Sequence, residues 1–340
     1  MGIRIQDIAE AAGVSIAAVS LALNDKAGVG SAKRALILDT AKRLGYRSPR
    51  LINRKREGHS ALCFLHIARH GHIVNRDHDV FIMDYISGLS QECEEQGYRL
   101  EIVHFQAGEW TEILQFAQES QASGLIILGT ELSQKETFDF KDIPKPIVFI
   151  DAMHKYLNFD FVDMNNEDIV HALIQELVHL GHQSIGMVAA SPDSPNLRLR
   201  QLEFRETLRH MKLPWDPSFL FTVDPTFQGA YEGMLEHLEA GSQLPTALFC
   251  ANDIIAAGCL RALAHKGIQV PHDLSVIGFD DLPLASICEP PLTTIRVDKE
   301  GIGRNAVRLL VDRIEGTPSS SSVKVLVGGE LIRRESVRSL

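Results

Sequence analysis

The stretch from Ile5 to Asn24, IQDIAEAAGVSIAAVSLALN, constrains the chain more than any other. Ile5, Ile8, Ala9 and Ala12 recur at helical spacing, Gly13 stops that helix, and Ser15 can cap a second in which Val19, Ala22 and Leu23 share a face. Two short helices joined by a Gly-containing turn form either a helix-turn-helix or a plain packed hairpin, and periodicity alone allows both. A third helix is predicted over Ala32 to Leu44, with Leu36, Ile37, Thr40 and Leu44 packing on the first two and Gly45 ending it.

The remainder is much larger. A chain of 340 residues exceeds one ordinary core and implies two or three domains. Residues 1–60 hold 11 Lys and Arg against 5 Asp and Glu, a net +6, whereas the whole chain is at −10, so residues 61–340 carry −16. A small basic module on an acidic body fits a chain whose first module alone meets phosphate. From Ala61, apolar strand-like runs alternate with amphipathic helices, the pattern of parallel sheets covered on both faces. One set of strands is expected at Leu62–Ile67, Leu100–Val103, Leu125–Leu128 and Ile147–Ile150, and a second at Ile185–Ala189, Leu220–Val223, Ala247–Cys250 and Ser275–Gly278. Two such lobes leave a cleft at the carboxyl ends of their strands. Cys63, Cys93, Cys250, Cys259 and Cys288 form no CxxC pair and read as reduced, buried residues. No leader-like segment precedes Ile5 and no apolar run approaches the roughly 20 residues of a membrane span, so a cytoplasmic protein without membrane contact is expected.

The opening stretch resembles the DNA-binding headpiece of the LacI/GalR family of bacterial transcriptional regulators, whose pattern is I-x-D-V-A-x-x-A-G-V-S-x-x-T-V-S-x-x-L-N. Ile5, Asp7, Ala9, Ala12, Gly13, Val14, Ser15, Val19, Ser20, Leu23 and Asn24 match it, followed by Arg34 and Leu44-Gly45-Tyr46. HLGHQSIGMV (179–188), CANDIIAAGCLRAL (250–263), DLSVIGFDD (273–281) and PPLTTI (290–295) also look like family signatures. The resemblance implies an α/β fold: a small all-α helix-turn-helix headpiece (1–46), a basic hinge (47–60), and a two-lobed, doubly wound, periplasmic-binding-protein-like domain (61–340). Crossings between lobes are then expected near residues 160, 292 and 321, giving a first lobe of about 61–160 and 293–321 and a second of about 161–292 and 322–340. It further implies a repressor, acting as a homodimer on double-stranded operator DNA and controlled by a small effector such as a sugar or sugar derivative, with no cofactor. The alternative is a sugar-sensing protein of the same fold that no longer grips DNA. Ser15, Ile16, Ala17, Ala18, Ser20, Leu21, Asn24 and Arg34 are the expected DNA-binding residues of the headpiece. Ile16, Ala17 and Leu21 are apolar where family members usually carry polar groups, and Ala18 replaces a common Thr.

Candidate effector contacts cluster at strand ends. Asp151 follows IVFI, Asn252 and Asp253 follow ALFCA, and Asp280 and Asp281 follow SVIGF, while Arg200 starts a helix facing the same cleft. Carboxylate, amide and guanidinium groups pair their acceptors and donors with adjacent hydroxyls. By resemblance, Arg200, Asn252 and Asp280 contact effector and Asp151 matches a position that some members use; Asp253 reads as structural, and Asp280 and Asp281 also suit caps or turns. Glu203 stands where a small glycine is usual. His66 and Phe81 are further candidates from the first lobe. His66, His70, His72 and His78, with Asp77 and Asp79, form an unusual cluster around the loop after the first strand; their spacing fits no tight zinc pattern and reads as pocket wall or surface. Arg69 and Arg76 in that loop add a weak signal for an anionic effector. GxSxG, HExxH and GxxxxGK[ST] motifs are absent, so no enzyme is expected.

The hinge departs most from the family, which places a leucine there to wedge into the minor groove. Arg47, Arg50, Arg54, Lys55 and Arg56 crowd the segment, and either register puts Lys55 or Arg56 where the leucine should be. A charged head buried between bases forfeits its hydration, whereas along phosphates it keeps a partner. Arg50, Arg54, Lys55 and Arg56 are therefore expected to tether the DNA electrostatically with little bending. Changing Arg54, Lys55 and Arg56 to Gln should reduce the slope of log affinity against log salt by about 0.9 for each phosphate that is no longer neutralised. A sharp central kink in a circular-permutation gel, with the slope unchanged, would contradict this.

Overall fold

The computed structural model describes residues 5–23, 28–44, 60–106, 109–316 and 321–340. Asn24, Arg50, Arg54, Lys55 and Arg56 lie outside the described residues. The chain separates into two compact units, the helical headpiece and the α/β body.

In the headpiece, α1 (Ile5–Ala12) and α2 (Ile16–Leu23) are joined through Gly13 at φ +63°, a left-handed turn that glycine adopts without a Cβ penalty. The Ser15 side chain accepts from the Ala18 N–H at 3.2 Å and starts α2 as its sequence position indicates. Helix α3 (Ser31–Arg43) completes the unit. Ile8, Ala9, Val19, Ala22, Ile37 and Ala41 form its core, with Leu44 partly buried against it. Thr40 is buried as expected, but Leu36 is not: it is 47% exposed, because the helix presents Ile37, Thr40 and Ala41 inward instead.

The body opens with β1 (Ala61–Ala68), α4 (Asp79–Gln96), β2 (Arg99–Gln106), α5 (Trp110–Glu119), β3 (Gly124–Leu128), α6 (Gln134–Asp139), β4 (Ile147–Ile150) and β5 (Asp160–Met164). It continues with α7 (Asn166–His179), β6 (Ile185–Ala190), α8 (Pro195–His210), β7 (Leu220–Val223), α9 (Phe227–Glu239), β8 (Ala247–Cys250), α10 (Asp253–His265) and β9 (Ser275–Ile277). The closing elements are α11 (Pro283–Ile287), β10 (Thr294–Val297), α12 (Lys299–Glu315), β11 (Lys324–Val327) and β12 (Gly329–Ile332). One sheet has the order β11-β5-β4-β3-β1-β2 and another β7-β6-β8-β9, while β10 and β12 pair antiparallel between the lobes' crossing segments. The strands predicted from apolar runs all exist. Strands β5, β10, β11 and β12 were not predicted; β5 pairs with β4 and with β11, all parallel, so the crossings expected near 160 and 321 come later, after Met164 and after Val327. Neither β5 nor β11 reads as a buried run, since acidic residues interrupt β5 (DFVDM) and β11 is half-exposed; Arg313 pairs both carboxylate oxygens of Asp160, at 2.6 and 2.8 Å, and makes that charge tolerable at the sheet end. Cys63, Cys93, Cys250 and Cys259 are buried, whereas Cys288 is only half-buried, because it caps the short helix α11 rather than lying in a strand.

Within the first lobe the backbones of α4 and α12 touch. A Cβ on Gly88 would fall on the carbonyl oxygen of Glu300, and one on Gly303 would meet the carbonyl of Tyr85 at 2.5 Å. Backbone cannot retreat as a flexible side chain can. Gly88→Ala should lower the unfolding free energy by about 1–3 kcal/mol, measured by urea titration; unchanged stability would mean that the helices slide apart at no cost.

Candidate functional site

The cleft is built at the carboxyl ends of the strands, as an open α/β sheet favours. Thr130 follows β3, Asp151 follows β4, Ser194 and Asn196 stand between β6 and the first turn of α8, Asn252 follows β8 and Asp280 follows β9. With Ile73, Val74, His78, Phe81, Ile82, Leu197 and Arg200 they line a cavity of about 30 Å³, enough for a water or two. Next to it along the chain, Leu132, Met153 and His154 from the first lobe and Pro195, Arg198 and Leu199 from the second bound a hollow of about 690 Å³.

Arg200 is the hub. Its Nη2 donates to Asp280 Oδ1 at 3.3 Å, its Nη1 to the Ala251 carbonyl at 2.6 Å and its Nε to Asn166 Oδ1 at 3.1 Å, and the guanidinium lies 3.5 Å over the Phe279 ring. Asp280 is buried at φ +112°, and its carboxyl is pushed up to about 6 by burial, against the pull of Arg200 and Lys299. Lys299 Nζ donates to the Asp280 carbonyl at 2.9 Å. Glu203 sits in the regular helix α8 one turn on and leaves this geometry intact. Asn252 does two things: its Oδ1 caps α10 by accepting from the Ile255 N–H at 2.8 Å, and its Nδ2 faces His78 Nε2 at 3.1 Å. Asp253 is structural, accepting from the Leu282 N–H at 2.8 Å and from Thr294 Oγ1 at 2.7 Å. Asp281 is likewise committed, to Arg296 and Arg334.

Asp151 spans the lobes. It accepts from Tyr85 Oη at 2.9 Å, from Thr130 Oγ1 and, from across the cleft, from Asn196 Nδ2 at 3.1 Å. The same Asn196 amide donates to Asp163 Oδ1 at 3.0 Å, while Asp163 Oδ2 is buried without a partner. Two buried carboxyls so close cannot both ionise easily. Burial raises the Asp151 carboxyl as well, but its three donors pull against that and favour charge there. Burial and the neighbouring Asp151 push Asp163 up to about 8, so Asp163 holds the proton.

The loop after β1 is a strap across the cleft. Glu131 pins it to the first lobe: Oε2 accepts the N–H groups of Arg69, His70 and Gly71 at 2.7, 3.0 and 3.1 Å, and Oε1 those of Ile73 and Val74, both at 2.9 Å. These hydrogen bonds outweigh burial and hold the Glu131 carboxyl below its usual range. On the other side, Asp77 Oδ2 accepts the Phe227 N–H of α9 at 3.0 Å, His72 lies 3.4 Å from Asp224, and His78 reaches Asn252. Burial pushes His78 down to about 4, so it is neutral.

Of the residues expected to meet effector, Asp151, Arg200, Asn252, Asp280 and Phe81 are brought together in the cavity wall. His66 is not. It lies on β1 with its Nδ1 2.6 Å from His104 Nδ1 on β2, because strand alternation turns it away from the cleft. The four histidines go to four places: His66 to His104, His70 to Glu131, His72 to Asp224 and His78 to Asn252. Arg69 pairs with Glu136 and lies over Trp110, and Arg76 is exposed, so neither presents charge to the cavity. The residues that sequence reasoning missed are Tyr85, Thr130, Asp163 and Asn196; only Asn196 carried a signal, the Ser194-Pro195 start of its helix.

Comparison with known proteins covers the whole chain. The model of bacterial regulatory proteins of the lacI family matches residues 4–48, and that of the periplasmic binding protein-like domain matches residues 174–337. The chain is 31% identical over 346 aligned positions to the HTH-type transcriptional repressor PurR of Haemophilus influenzae (strain PittEE), with 99% of each chain covered. It is 30% identical over 339 positions to the HTH-type transcriptional repressor CytR of Escherichia coli (strain K12), covering 99% of this chain and 96% of that one. Among solved structures, the transcriptional regulator CelR in its cellobiose complex superposes with a TM-score of 0.73 at 23% identity, over 98% of this chain and 99% of that one. The Lac repressor dimer bound to operator and the anti-inducer ONPF gives 0.72 at 23% identity, over 99% and 100%. The two structures share the fold.

The proton on Asp163 has a pH signature. Its folded pKa lies above the unfolded 3.8, so the stability it contributes is complete below about 3.8 and is lost as pH rises toward about 8. Asp163→Asn keeps the neutral form and should shrink the loss of stability between pH 5 and pH 8, measured as urea midpoints. An equally steep loss in the variant would place the proton elsewhere.

Proposed function

The chain belongs to the lacI family of bacterial regulatory proteins, and on that premise we propose that it is a ligand-controlled transcriptional repressor whose effector site is the inter-lobe cavity around Arg200. The helix-turn-helix grips operator DNA, and a homodimer supplies two headpieces, because one contributes too few base contacts for tight, specific binding. The body binds its ligand without turning it over. The observation that carries this reading is the convergence of Asp151, Asn196, Arg200, Asn252 and Asp280 from both lobes beside the apolar wall of Phe81, Ile73 and Val74. Paired acceptors and donors with an aromatic wall suit a hydroxylated ring, a sugar or sugar derivative. The cellobiose complex of CelR supports that class.

Mechanism follows from size. A cavity of about 30 Å³ cannot admit a sugar unless the lobes or the strap move. A ligand shifts such an equilibrium only by its differential affinity for the two arrangements. Asn196, bonded to Asp151 and Asp163 across the cleft, and His78, seated on Asn252, make the bonds that a ligand must replace or reinforce.

The bonding of Arg200 also decides which variants are informative. Arg200→Ala would leave Asp280 buried without its partner, a defect that typically costs about 3–5 kcal/mol, so loss of function there would be ambiguous. Arg200→Lys and Asp280→Glu keep one positive and one negative charge at the pair, so neither leaves a buried ion without its counter-charge. A thermal-shift panel of sugars, sugar phosphates and purines should yield a compound that raises the melting temperature of the wild type. Both variants should then bind that compound at least about tenfold more weakly, since a charge-assisted hydrogen bond contributes roughly 1.5–3 kcal/mol, while operator affinity stays unchanged. A wild-type response in both would move the effector site elsewhere.

A further inference from the structure

Helix α2, IAAVSLAL, contains no amide, carboxylate, imidazole, guanidinium or ammonium side chain. Bidentate reading of guanine O6/N7 or adenine N6/N7 needs a guanidinium, ammonium or amide, so this helix cannot perform it. Val19 and Ala22 are committed to the headpiece core. The Ser15 hydroxyl is committed to the cap of its own helix. What the first turn offers outward is Ile16, 49% exposed, and Ala17, also exposed. Four residues on from each, Ser20 and Leu21 continue that face half-buried. In the major groove the one apolar feature on a base edge is the C5-methyl of thymine.

We infer that α2 reads its half-site through thymine methyl groups, with Ile16 and Ala17 as the specificity-determining side chains. The inference rests on the reading of the chain as a DNA-binding repressor and names the chemistry of its target. Ser20 adds at most single hydrogen bonds, which discriminate poorly between bases. The net +6 of residues 1–60 suits the phosphate backbone, and phosphate contacts carry no sequence information. Apolar contacts of this kind are individually weak. Discrimination is therefore spread over several thymines in each half-site.

The test uses the full chain and a random double-stranded DNA library. After selection, the enriched site is resynthesised with deoxyuridine in place of each half-site thymidine, a change that removes only the methyl group. Binding should weaken about fourfold for each methyl that is read, the equivalent of one buried carbon. In Ile16→Ala and Ala17→Gly, whose positions are exposed and leave the core untouched, the penalty for at least one of those replacements should vanish. Full affinity with every half-site thymine replaced overturns the inference. So does a uracil penalty that persists undiminished in both variants, since another part of the chain would then be reading the methyls. Failure to enrich any sequence would instead remove the DNA-binding reading beneath it, an outcome distinct from the other two.

Discussion

The body depends on one buried cation. Arg200 sits 3% exposed where the first crossing segment, two strand ends of the second lobe and the cavity meet, and three of its nitrogens are bonded inside the protein. A guanidinium in so dry a place is strongly destabilising unless it is both paired and hydrogen-bonded. Asp280 supplies the charge and Ala251 and Asn166 the remaining acceptors, which fixes the ends of β8 and β9 and the start of α7 relative to one another. The cavity wall is thus built around an electrostatic requirement. Asp280, at φ +112°, occupies a conformation that a non-glycine residue keeps only when its surroundings over-determine it. Arg200 and Lys299 do so here.

A second requirement joins the lobes. Asn196 on α8 places one amide between Asp151 and Asp163, and an amide nitrogen has two hydrogens for two acceptors. The arrangement closes only if the pair carries a proton, because two ionised carboxylates in a dry site repel. At the proposed effector site, recognition and inter-lobe geometry therefore share atoms. Any ligand that hydrogen-bonds Asp151 competes with Tyr85, Thr130 or Asn196, and in the last case it touches the link between lobes directly.

How much of this was legible follows from range. The headpiece was readable because its determinants are local: Gly13 for the left-handed turn, Ser15 for the cap, and Ile8, Val19 and Ile37 for the core. Asp151, Asn252 and Asp280 were readable because each directly follows an apolar run, and strand ends are where an α/β sheet puts its ligands. Tyr85, Thr130 and Asp163 were not. Nothing near them in sequence marks them, and they matter only because a residue 21 to 66 positions away comes to rest beside them. Strand β5 escaped notice since its acidic residues mask it, and β11 since it is a half-exposed edge strand whose partner lies far back in the chain. His66 was misplaced by one step of the strand period, which decides which face a side chain takes.

The strap carries one more consequence, for time rather than affinity. Residues 69–74 hang from a single carboxylate, and His72, Asp77 and His78 fasten the loop to the second lobe at Asp224, Phe227 and Asn252. For a ligand of the proposed effector site, entry into the cavity would wait for those fastenings to release, a unimolecular event whose frequency the chain sets by itself. However abundant the ligand, its capture cannot outrun that release. The same delay would apply on the way out, so a ligand at the proposed site would be retained for a period that the loop determines. A regulator built in this way averages its surroundings over that period and is deaf to fluctuations that are shorter.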